Sequence, residues 1–277
     1  MPFEYTDILL ILLGLFVGVI GTLIGAGGGF ILMPVLILIW PDKSSDIITS
    51  VSLAVVFVNA FSGSLAYMRM KRVDIKSGLM FAAATVPGAV FGAYTTQFIP
   101  RNVFDTVFGL LMIILSVYLF FKSRNLSDHS VEFAGKAQRH IIEKDGTEHF
   151  YNFRPGIGIV ISLFIGFLSS MLGIGGGIIH VPVLVGLLNF PVHIATATSH
   201  FTLAISALAG TIEHIREGTL STVVWPTIFI STGVYAGAKF GAKLSNVVKG
   251  PFIIKSLALA LGFVGLRILF AALHFHF

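Results

Sequence analysis

The chain has 277 residues and a formal net charge of +5, with 55% hydrophobic and only 11% charged residues. A soluble domain has roughly a quarter of its residues charged, so this composition excludes a soluble globular protein and predicts an all-α polytopic membrane protein. The basic residues are spread over loops and helix ends, which indicates membrane orientation and no nucleic-acid partner. The absence of cysteine excludes disulfides, thiolate catalysis and cysteine-ligated metals.

Long apolar stretches run through the chain, and most can cross about 30 Å of hydrocarbon as helices, which takes about 20 residues. In chain order they are residues 8–40, 47–68, 77–99, 103–121, 155–190, 194–212, 220–238 and 251–273. The first has no basic leader and no small-residue cleavage pattern, so we expect a retained span. As one helix at 1.5 Å per residue it would be about 50 Å long, which exceeds the bilayer. The first and fifth stretches are therefore each predicted to break.

A glycine motif occurs twice, once inside each of these two long stretches. Residues 25–34 read Gly-Ala-Gly-Gly-Gly-Phe-Ile-Leu-Met-Pro, and residues 173–182 read Gly-Ile-Gly-Gly-Gly-Ile-Ile-His-Val-Pro. The match indicates an internal duplication, and glycine costs about 1 kcal/mol in a helix interior relative to alanine, so both runs are predicted helix breaks. Each half then has about five membrane helices, an odd number, so the second enters the membrane from the opposite side. The prediction is two inverted repeats, 1–121 and 155–277, joined by a linker at 122–154.

The positive-inside rule orients this arrangement, because five elements per half place most of the 18 basic residues on one face together with the linker. The exceptions are Lys43, Arg101, Arg216 and Arg267. The linker is therefore predicted to be cytoplasmic and both termini periplasmic. Residues 139–151 alternate in polarity on both sides of Asp145-Gly146, which predicts a β-hairpin. Two strands alone are marginally stable, so we expect the hairpin to pack on the membrane domain. It joins the halves, with regulation as the less favoured alternative.

The helix breaks are candidate anion sites. A broken helix exposes unpaired N–H groups at the start of the next half-helix, and these groups and the helix dipole attract anions. The alternative is that the glycines only allow close helix packing. Exposed backbone at membrane depth is tolerated only when it is buried in protein or lines a cavity, which favours the site. The predicted backbone donors are Gly27, Gly28, Gly29, Gly175, Gly176 and Gly177. Neither run is followed by the Lys-Ser/Thr of a nucleotide-binding P-loop, and no cofactor is predicted.

Polar stripes follow each half-helix along the next helix. The first stripe is Thr49, Ser52, Asn59 and Gly63, and the second is Ser199, Thr202, Ser206 and Gly210. Such side chains can donate hydrogen bonds to an oxyanion. In membranes they also bond to their own helix carbonyls or hold helices together, and this alternative stays open. The residues predicted to shape the pocket are Ser52, Asn59, Thr198, Ser199 and His200.

Two histidines, His180 and His200, fall within membrane elements of the second half, where the first half has Leu32 and a residue near Val51 or Leu53. Ionisable groups inside a membrane are costly and typical of function, and histidine can bind an anion when protonated or relay a proton. The alternative is a neutral histidine bonded between helices.

Metal and hydrolase chemistry are poorly supported. His180, His200 and His214 have no close ligand spacing, and no carboxylate lies beside the first two, so no metal site is predicted. Ser199 precedes His200 directly, but neighbouring residues on a helix point about 100° apart, which does not suit a nucleophile and its base.

The repeated G-x-G-G-G resembles the sulfite exporter TauE/SafE family of membrane permeases. In both halves it precedes an apolar half-helix with proline, and then an apolar helix that opens with Thr49-Ser50 or Thr198-Ser199. The resemblance covers nearly the whole chain outside the linker. It implies transport of a small organosulfur or sulfur oxyanion, such as sulfite or sulfoacetate, and in some members of small carboxylates, across the bacterial inner membrane. The linker and the two histidines are not part of the resemblance.

The hypothesis from the sequence is a secondary carrier, not an enzyme, with its site near the membrane midplane between the halves and with alternating access. No ATP-binding motif is present, so an ion gradient or the anion's own gradient would drive it. The expected partners are a small anion and the bilayer, and we also consider a coupling proton or Na⁺ and a second copy of the chain. The alternatives are an anion channel that uses the same helix ends and a membrane-embedded hydrolase.

Overall fold

The computed structural model describes residues 5–122, 137–245, 247–248 and 250–274. Its first half contains α1 (Tyr5–Ile24), α2 (Gly29–Ile39), α3 (Ser45–Arg69), α4 (Ile75–Thr96) and α5 (Arg101–Lys122). Two strands follow, β1 (Ala137–Ile142) and β2 (Glu148–Phe153). The second half contains α6 (Pro155–Met171), α7 (Gly177–Gly186), α8 (Val192–Arg216), a 3₁₀ turn (Leu220–Val223), α9 (Val224–Leu244) and α10 (Gly250–His274). Five helices therefore lie on each side of the strands.

The described helices confirm a polytopic membrane protein. Six of them are long and apolar enough to cross a bilayer. Both glycine runs break the chain as predicted, because α1 and α6 end before them and the short helices α2 and α7 start at Gly29 and Gly177. The residues before these starts, Gly28 and Gly176, have φ of 80° and 79°, a left-handed conformation that glycine adopts without strain. With 11 residues, α2 is about 16 Å long and covers half of the bilayer.

The helices pair in a way that is symmetric between the halves. α1 packs on α9, and the equivalent helix α6 packs on α4. Gly14 meets the backbone of Ile230 and Gly18 meets that of Val234, so α1 and α9 run in parallel at a distance that leaves no room for a Cβ. The α6 and α4 helices are also parallel and meet at glycines. Two further pairs, α3 with α8 and α5 with α10, are antiparallel and join equivalent helices of the two halves.

These directions show that the halves are inverted. Ser62 of α3 donates a hydrogen bond to the Tyr235 carbonyl of α9, and Tyr67 packs near Ala242, so α3 is parallel to α9 and therefore to α1. The α6 helix follows α4, which is antiparallel to α3, so α6 crosses in the opposite sense to α1. The start of α1 and the end of α10 consequently share one end of the bundle, the terminal end. The two strands lie at the other, which we call the linker end.

The predicted β-hairpin is present. Its strands are antiparallel, with Arg139 opposite Tyr151. The turn contains Asp145 and Gly146, and Gly146 has φ of 90°. The backbone N–H of Thr147 donates to the Asp145 carboxylate, and this bond lowers the pKa of that carboxyl. Residues 123–136 of the predicted linker lie outside the described residues.

The hairpin packs on the membrane domain, as expected. Tyr151 and Phe153 form an apolar cluster with Phe81 of α4 and with Phe190 between α7 and α8. The Tyr151 hydroxyl donates to the Asp74 carboxylate at 2.7 Å. Burial and this neighbouring carboxylate raise the pKa of Tyr151, so its hydroxyl stays a donor. The hairpin therefore contacts both halves at the linker end.

A second set of contacts attaches the hairpin to the turn between α3 and α4. The Arg72 guanidinium forms a buried ion pair with Glu143, whose other oxygen lies 2.8 Å from His149 Nε2. The backbone N–H of Lys144 donates to the Met70 carbonyl at 3.0 Å. Polar and apolar contacts thus hold the two strands that would be marginal alone.

The core surrounds both helix breaks. Residues 21–30 and 169–182 are buried along their whole length, and the half-helices contribute Phe30, Leu36 and Ile178 to the main apolar cluster. Backbone that is not helical therefore lies inside protein and not against lipid, which is the condition for its presence at membrane depth.

Candidate functional site

The two glycine breaks touch each other at the centre of the molecule. A Cβ on Gly29 would overlap the carbonyl oxygens of Gly173 and Ile174, and a Cβ on Gly177 would overlap the backbone of Gly25 and Ala26. The contact is reciprocal, as a pseudo-twofold relation between the halves requires. Glycine is needed here for close approach as well as for the left-handed turn.

Two predicted pocket residues bind the break of the opposite half. The 25-residue helices α3 and α8 are equivalent position by position, so Ser52 corresponds to Ser199. Ser52 Oγ donates to the Gly173 carbonyl at 2.5 Å, and Ser199 Oγ donates to the Gly25 carbonyl at 3.4 Å. Both hydroxyls donate to backbone carbonyls, and the Ser199 hydroxyl forms no hydrogen bond with the neighbouring His200. Their observed role is to connect the halves.

Thr198 lies towards the linker end, away from the contact between the breaks. Its Oγ1 accepts a hydrogen bond from the backbone N–H of Asp74 at 3.0 Å. It therefore joins the start of α8 to the start of α4.

A buried cavity lies beside the first turn of α7. Four predicted residues line it, Gly175, Gly176, Gly177 and His180, and it is completed by Thr85, Ile165, Gly166, Ser169, Thr202, Leu203 and Ser206. Every lining residue is buried. The space open to the centre of a water molecule is about 10 Å³, which is enough for about one water. The cavity would have to widen to accept an anion of several atoms.

Hydrogen-bond donors surround this cavity. The first N–H groups of α7, on Gly177 and Ile178, have no partner within the helix, and the helix dipole places partial positive charge there. Hydroxyl groups come from α6 and α8. Ser169, Thr202 and Ser206 donate to the carbonyls of other residues at 3.2–3.4 Å. These distances exceed the usual 2.7–2.8 Å of O–H···O bonds, so a ligand oxygen at an ordinary distance would be a stronger acceptor.

His180 is held between helices at the edge of the cavity. Its Nε2 lies 3.4 Å from Ser162 Oγ of α6. Its ring meets the Phe81 ring edge to face, with 5.5 Å between ring centres. Phe81 also belongs to the aromatic cluster under the hairpin, so aromatic rings lie between His180 and the linker end.

The first break is packed differently, although its backbone is equivalent. At the first break the Ala26 N–H donates to the Gly21 carbonyl, and at the second the Ile174 N–H donates to the Ser169 carbonyl. Gly21 is therefore the counterpart of Ser169. The remaining counterparts of the polar lining are Leu32 for His180, Val55 for Thr202 and Asn59 for Ser206. Polarity is therefore concentrated at the second break.

Asn59 fills the space beside the first break. Its Nδ2 lies close against Gly21 and Gly28, and its Oδ1 accepts a hydrogen bond from Thr22 at 2.6 Å. Gly27 packs on Val56 and Leu203. The predicted residues Gly27, Gly28, Gly29 and Asn59 thus form a close-packed region, and the cavity lies on the side of the second repeat.

His200 is located between α8 and α3, outside the cavity lining. Its ring lies against Gly63 and meets Tyr67 at right angles, with 5.9 Å between ring centres. The side chain has 0% exposure, and neither ring nitrogen has a hydrogen-bond partner among the described residues. The structure does not bring His200 together with His180 at one cavity.

Sequence reasoning missed two polar lining residues, Thr85 and Ser169. They lie on α4 and α6, whereas the predicted polar stripes were on the helices after the half-helices. One signal was available for Ser169, because its counterpart in the first repeat is Gly21. The same comparison between halves had identified the two histidines. Within the described parts of the chain, no group of three or more His, Asp or Glu side chains could hold a metal ion.

Comparison with known proteins agrees with this architecture. Residues 10–268 match the family model described as "Sulfite exporter TauE/SafE". The chain belongs to the sulfite exporter TauE/SafE family. Its relatives in this family include the probable membrane transporter protein YunE of Bacillus subtilis, which is 30% identical over 95% of this chain and 97% of its own length. A probable membrane transporter protein of Methanocaldococcus jannaschii is 26% identical over 97% of this chain and 98% of its own length.

A third relative, the probable membrane transporter protein YdhB of Bacillus subtilis, is 26% identical over 95% of this chain and 100% of its own length. No solved structure matches the chain significantly. Membership of the TauE/SafE family, together with the apolar helices, identifies a multi-pass membrane transporter.

Proposed function

We propose that this transporter carries a small anion, a sulfur oxyanion or sulfonate such as sulfite or sulfoacetate, through the cavity beside α7. The observation that carries the proposal is the cavity itself. The cavity is lined by the start of a half-helix, whose first N–H groups are unpaired within the helix, by several hydroxyl groups and by one histidine. The lining contains no carboxylate that would repel an anion. The description of the family, sulfite exporter, favours a sulfur oxyanion.

Alternating access is the mechanism that fits an occluded site between inverted halves. Every lining residue is buried and the open space is about 10 Å³, so the cavity has no room for a multi-atom anion to pass in this conformation. Its walls come from both halves, since Thr85 belongs to the first and His180 to the second. A shift of one half against the other would therefore change the walls and open the cavity to one end at a time. A channel would keep a continuous open path.

The proposed orientation places the linker in the cytoplasm and both termini in the periplasm of a bacterial inner membrane. Its support is the charge at the linker end, to which the positive-inside rule applies. The described basic residues at or near that end are Arg69, Lys71, Arg72, Lys76, Lys122, Arg139, Lys144, Arg154, Lys239, Lys243 and Lys255. Export of an anion in this orientation is favoured by the inside-negative potential, by about 2.3 kcal/mol per charge per 100 mV.

Counterflow exchange tests the proposal. Proteoliposomes are loaded with unlabelled sulfoacetate or sulfite, and entry of the same labelled anion is followed. A carrier accelerates entry when the inside is loaded, since the loaded site returns faster. A large conductance without this acceleration would favour the channel, and chemical change of the anion would favour the hydrolase. No exchange with sulfur oxyanions, sulfonates or short carboxylates would contradict the proposal.

A binding screen identifies the substrate before transport is measured. The thermal midpoint of the purified protein is recorded with sulfite, thiosulfate, sulfoacetate and short carboxylates. A ligand at 100 times its Kd stabilises the folded state by about 2.7 kcal/mol. A matched comparison uses Ser206→Asn. This substitution introduces the asparagine that the first repeat has at the equivalent position, Asn59, and so fills the cavity. Stabilisation by the anion that is equal in both proteins would locate binding elsewhere.

A further inference from the structure

We propose that His200 takes up a proton during the transport cycle, so that the anion moves together with a proton. The inference rests on the proposed function and adds its coupling ion. The proton comes from water at the linker end, an N–H bond forms at one ring nitrogen, and the ring becomes an imidazolium. The same bond breaks when the proton is released at the terminal end.

The first support is the state of the ring. His200 is completely buried, and both Nδ1 and Nε2 lack a hydrogen-bond partner among the described residues. A neutral imidazole has one donor and one acceptor, and buried polar groups are normally paired. An unpaired ring in a packed protein is expected where the group finds its partner in another state of the cycle. His180, by contrast, has Ser162 within 3.4 Å.

The second support is the position of the ring beside the first break. The Gly25 carbonyl faces His200 without forming a hydrogen bond of ordinary geometry. A protonated ring, which donates from both nitrogens, would find an acceptor there after a small movement. The same carbonyl accepts the bond from Ser199 of the opposite half. Protonation would thus act directly on the contact between the halves.

Hydroxyl groups lie between the ring and the linker end. Tyr67 packs its ring against His200 and donates its hydroxyl to the Thr22 carbonyl at 2.8 Å. Ser245 lies beside the Tyr67 hydroxyl. Arg72, which is buried in its ion pair with Glu143 at the linker end, donates to Ser245 Oγ at 3.3 Å. A proton that moves between this end and His200 would pass the hydroxyls of Ser245 and Tyr67, and a local movement would complete the last step, since neither ring nitrogen has a hydrogen-bond partner among the described residues.

The surroundings of the ring show why the anion matters. Among the described residues, Tyr67 and Gly63 of α3 and the Gly25 carbonyl face the ring, and none of them carries a charge at neutral pH. The nearest cation along the path, Arg72, is paired with Glu143. An imidazolium therefore has no counter-ion among these described neighbours, and an anion bound in the cavity would stabilise it. In the first repeat the equivalent residue is Leu53, so this histidine is present in the second repeat alone.

Transport with and without a pH gradient tests the inference. Wild type and His200→Gln are reconstituted in proteoliposomes, and uptake of labelled sulfoacetate is measured at equal pH and with the outside one pH unit more acidic. Sulfoacetate stays fully ionised, so the gradient acts on the protein. One proton per anion supports up to about tenfold accumulation in wild type. We expect the ratio of the two uptakes to fall to about one in His200→Gln, whatever its absolute rate.

Proton uptake on binding is a second measurement that does not need transport. Sulfoacetate is added to purified protein in weakly buffered detergent solution with a pH-sensitive dye. We expect uptake of about one proton per wild-type chain and none in His200→Gln. His193→Gln, on the same helix but half-buried near the hairpin, is the matched control and keeps the uptake.

The outcomes separate the inference from the proposed function. Counterflow exchange by wild type without any effect of the pH gradient overturns the inference alone. Proton uptake that persists in His200→Gln but is lost in His180→Gln overturns it in favour of the cavity histidine. Failure of wild type to exchange or bind any tested anion overturns the proposed function, and the inference with it.

Discussion

Ser52 and Ser199 occupy equivalent positions in the two halves, and each donates a hydrogen bond to the glycine break of the other half. The acceptors, the carbonyls of Gly173 and Gly25, are themselves equivalent. The two bonds are not equally short, at 2.5 Å and 3.4 Å. The pair therefore connects the inverted repeats at their centre, with the stronger bond on the side of the second break.

Removal of these hydroxyls should destabilise the protein unequally. Ser52→Ala leaves the buried Gly173 carbonyl without its short bond, so we expect a loss of about 1–3 kcal/mol. Ser199→Ala removes a longer and weaker bond, and we expect the smaller loss. Thermal unfolding in detergent measures both. Thr95→Ala, which removes an exposed bond within α4, is the control. A larger loss for Ser199→Ala than for Ser52→Ala would contradict this assignment.

The contact between the breaks should tolerate no side chain. Gly29→Ala and Gly177→Ala place a methyl group on backbone atoms of the opposite break, and overpacking typically costs about 1–3 kcal/mol. Because backbone cannot rotate away as a side chain can, we expect the upper part of this range. Gly156→Ala, whose Cβ meets no atom within 4 Å, should change stability by less than about 0.5 kcal/mol. Folded yield and thermal midpoint report the difference. Equal behaviour of all three variants would contradict the close contact.

Transport should fall when polar lining residues of the cavity are replaced by the residues at the equivalent positions of the first repeat. Thr202→Val copies Val55 and His180→Leu copies Leu32, so both remove polar groups from the lining while keeping an apolar core. We expect counterflow to fall at least about tenfold, which corresponds to about 1.4 kcal/mol of lost interaction with the anion.

The controls for these cavity variants separate binding from folding. Thermal midpoints without anion should stay within a few degrees of wild type, while stabilisation by the anion is lost. Ser221→Asn, in the exposed turn before α9, should leave both properties unchanged. Undiminished counterflow in Thr202→Val and His180→Leu would exclude this cavity as the site.

The ion pair that attaches the hairpin should show strong coupling. Arg72→Gln leaves Glu143 buried and paired only with His149, and loss of one partner of a buried pair costs about 3–5 kcal/mol. Glu143→Gln leaves the Arg72 guanidinium buried without its carboxylate partner, so we expect a loss of similar size. The double variant removes both charges, so we expect it to be more stable than the sum of the two single losses predicts. Additive losses in thermal unfolding would show that the pair does not hold the hairpin.

Much of the fold could be predicted from the chain itself, since bilayer thickness limits helix length. A stretch of about 50 Å must break, and glycine runs such as Gly25 to Gly29 are where breaking costs least. Odd numbers of elements then require inverted halves, and the alternation around Asp145-Gly146 favours a hairpin, which is present. Gly175 to Gly177 and His180 line the same cavity because the motif is continuous in sequence, and their role in binding stays a prediction.

Only the tertiary structure decided which break has a cavity. Both halves have the same backbone there, and the difference depends on whether Asn59 or Ser206 projects into the space. Helical spacing tells which residues share a face of one helix. It does not tell how far their side chains reach between neighbouring helices. The same applies to Thr85, which reaches the cavity only because α4 packs on α6. Sequence thus determined the breaks and their inversion, while packing between helices determined where a ligand can fit.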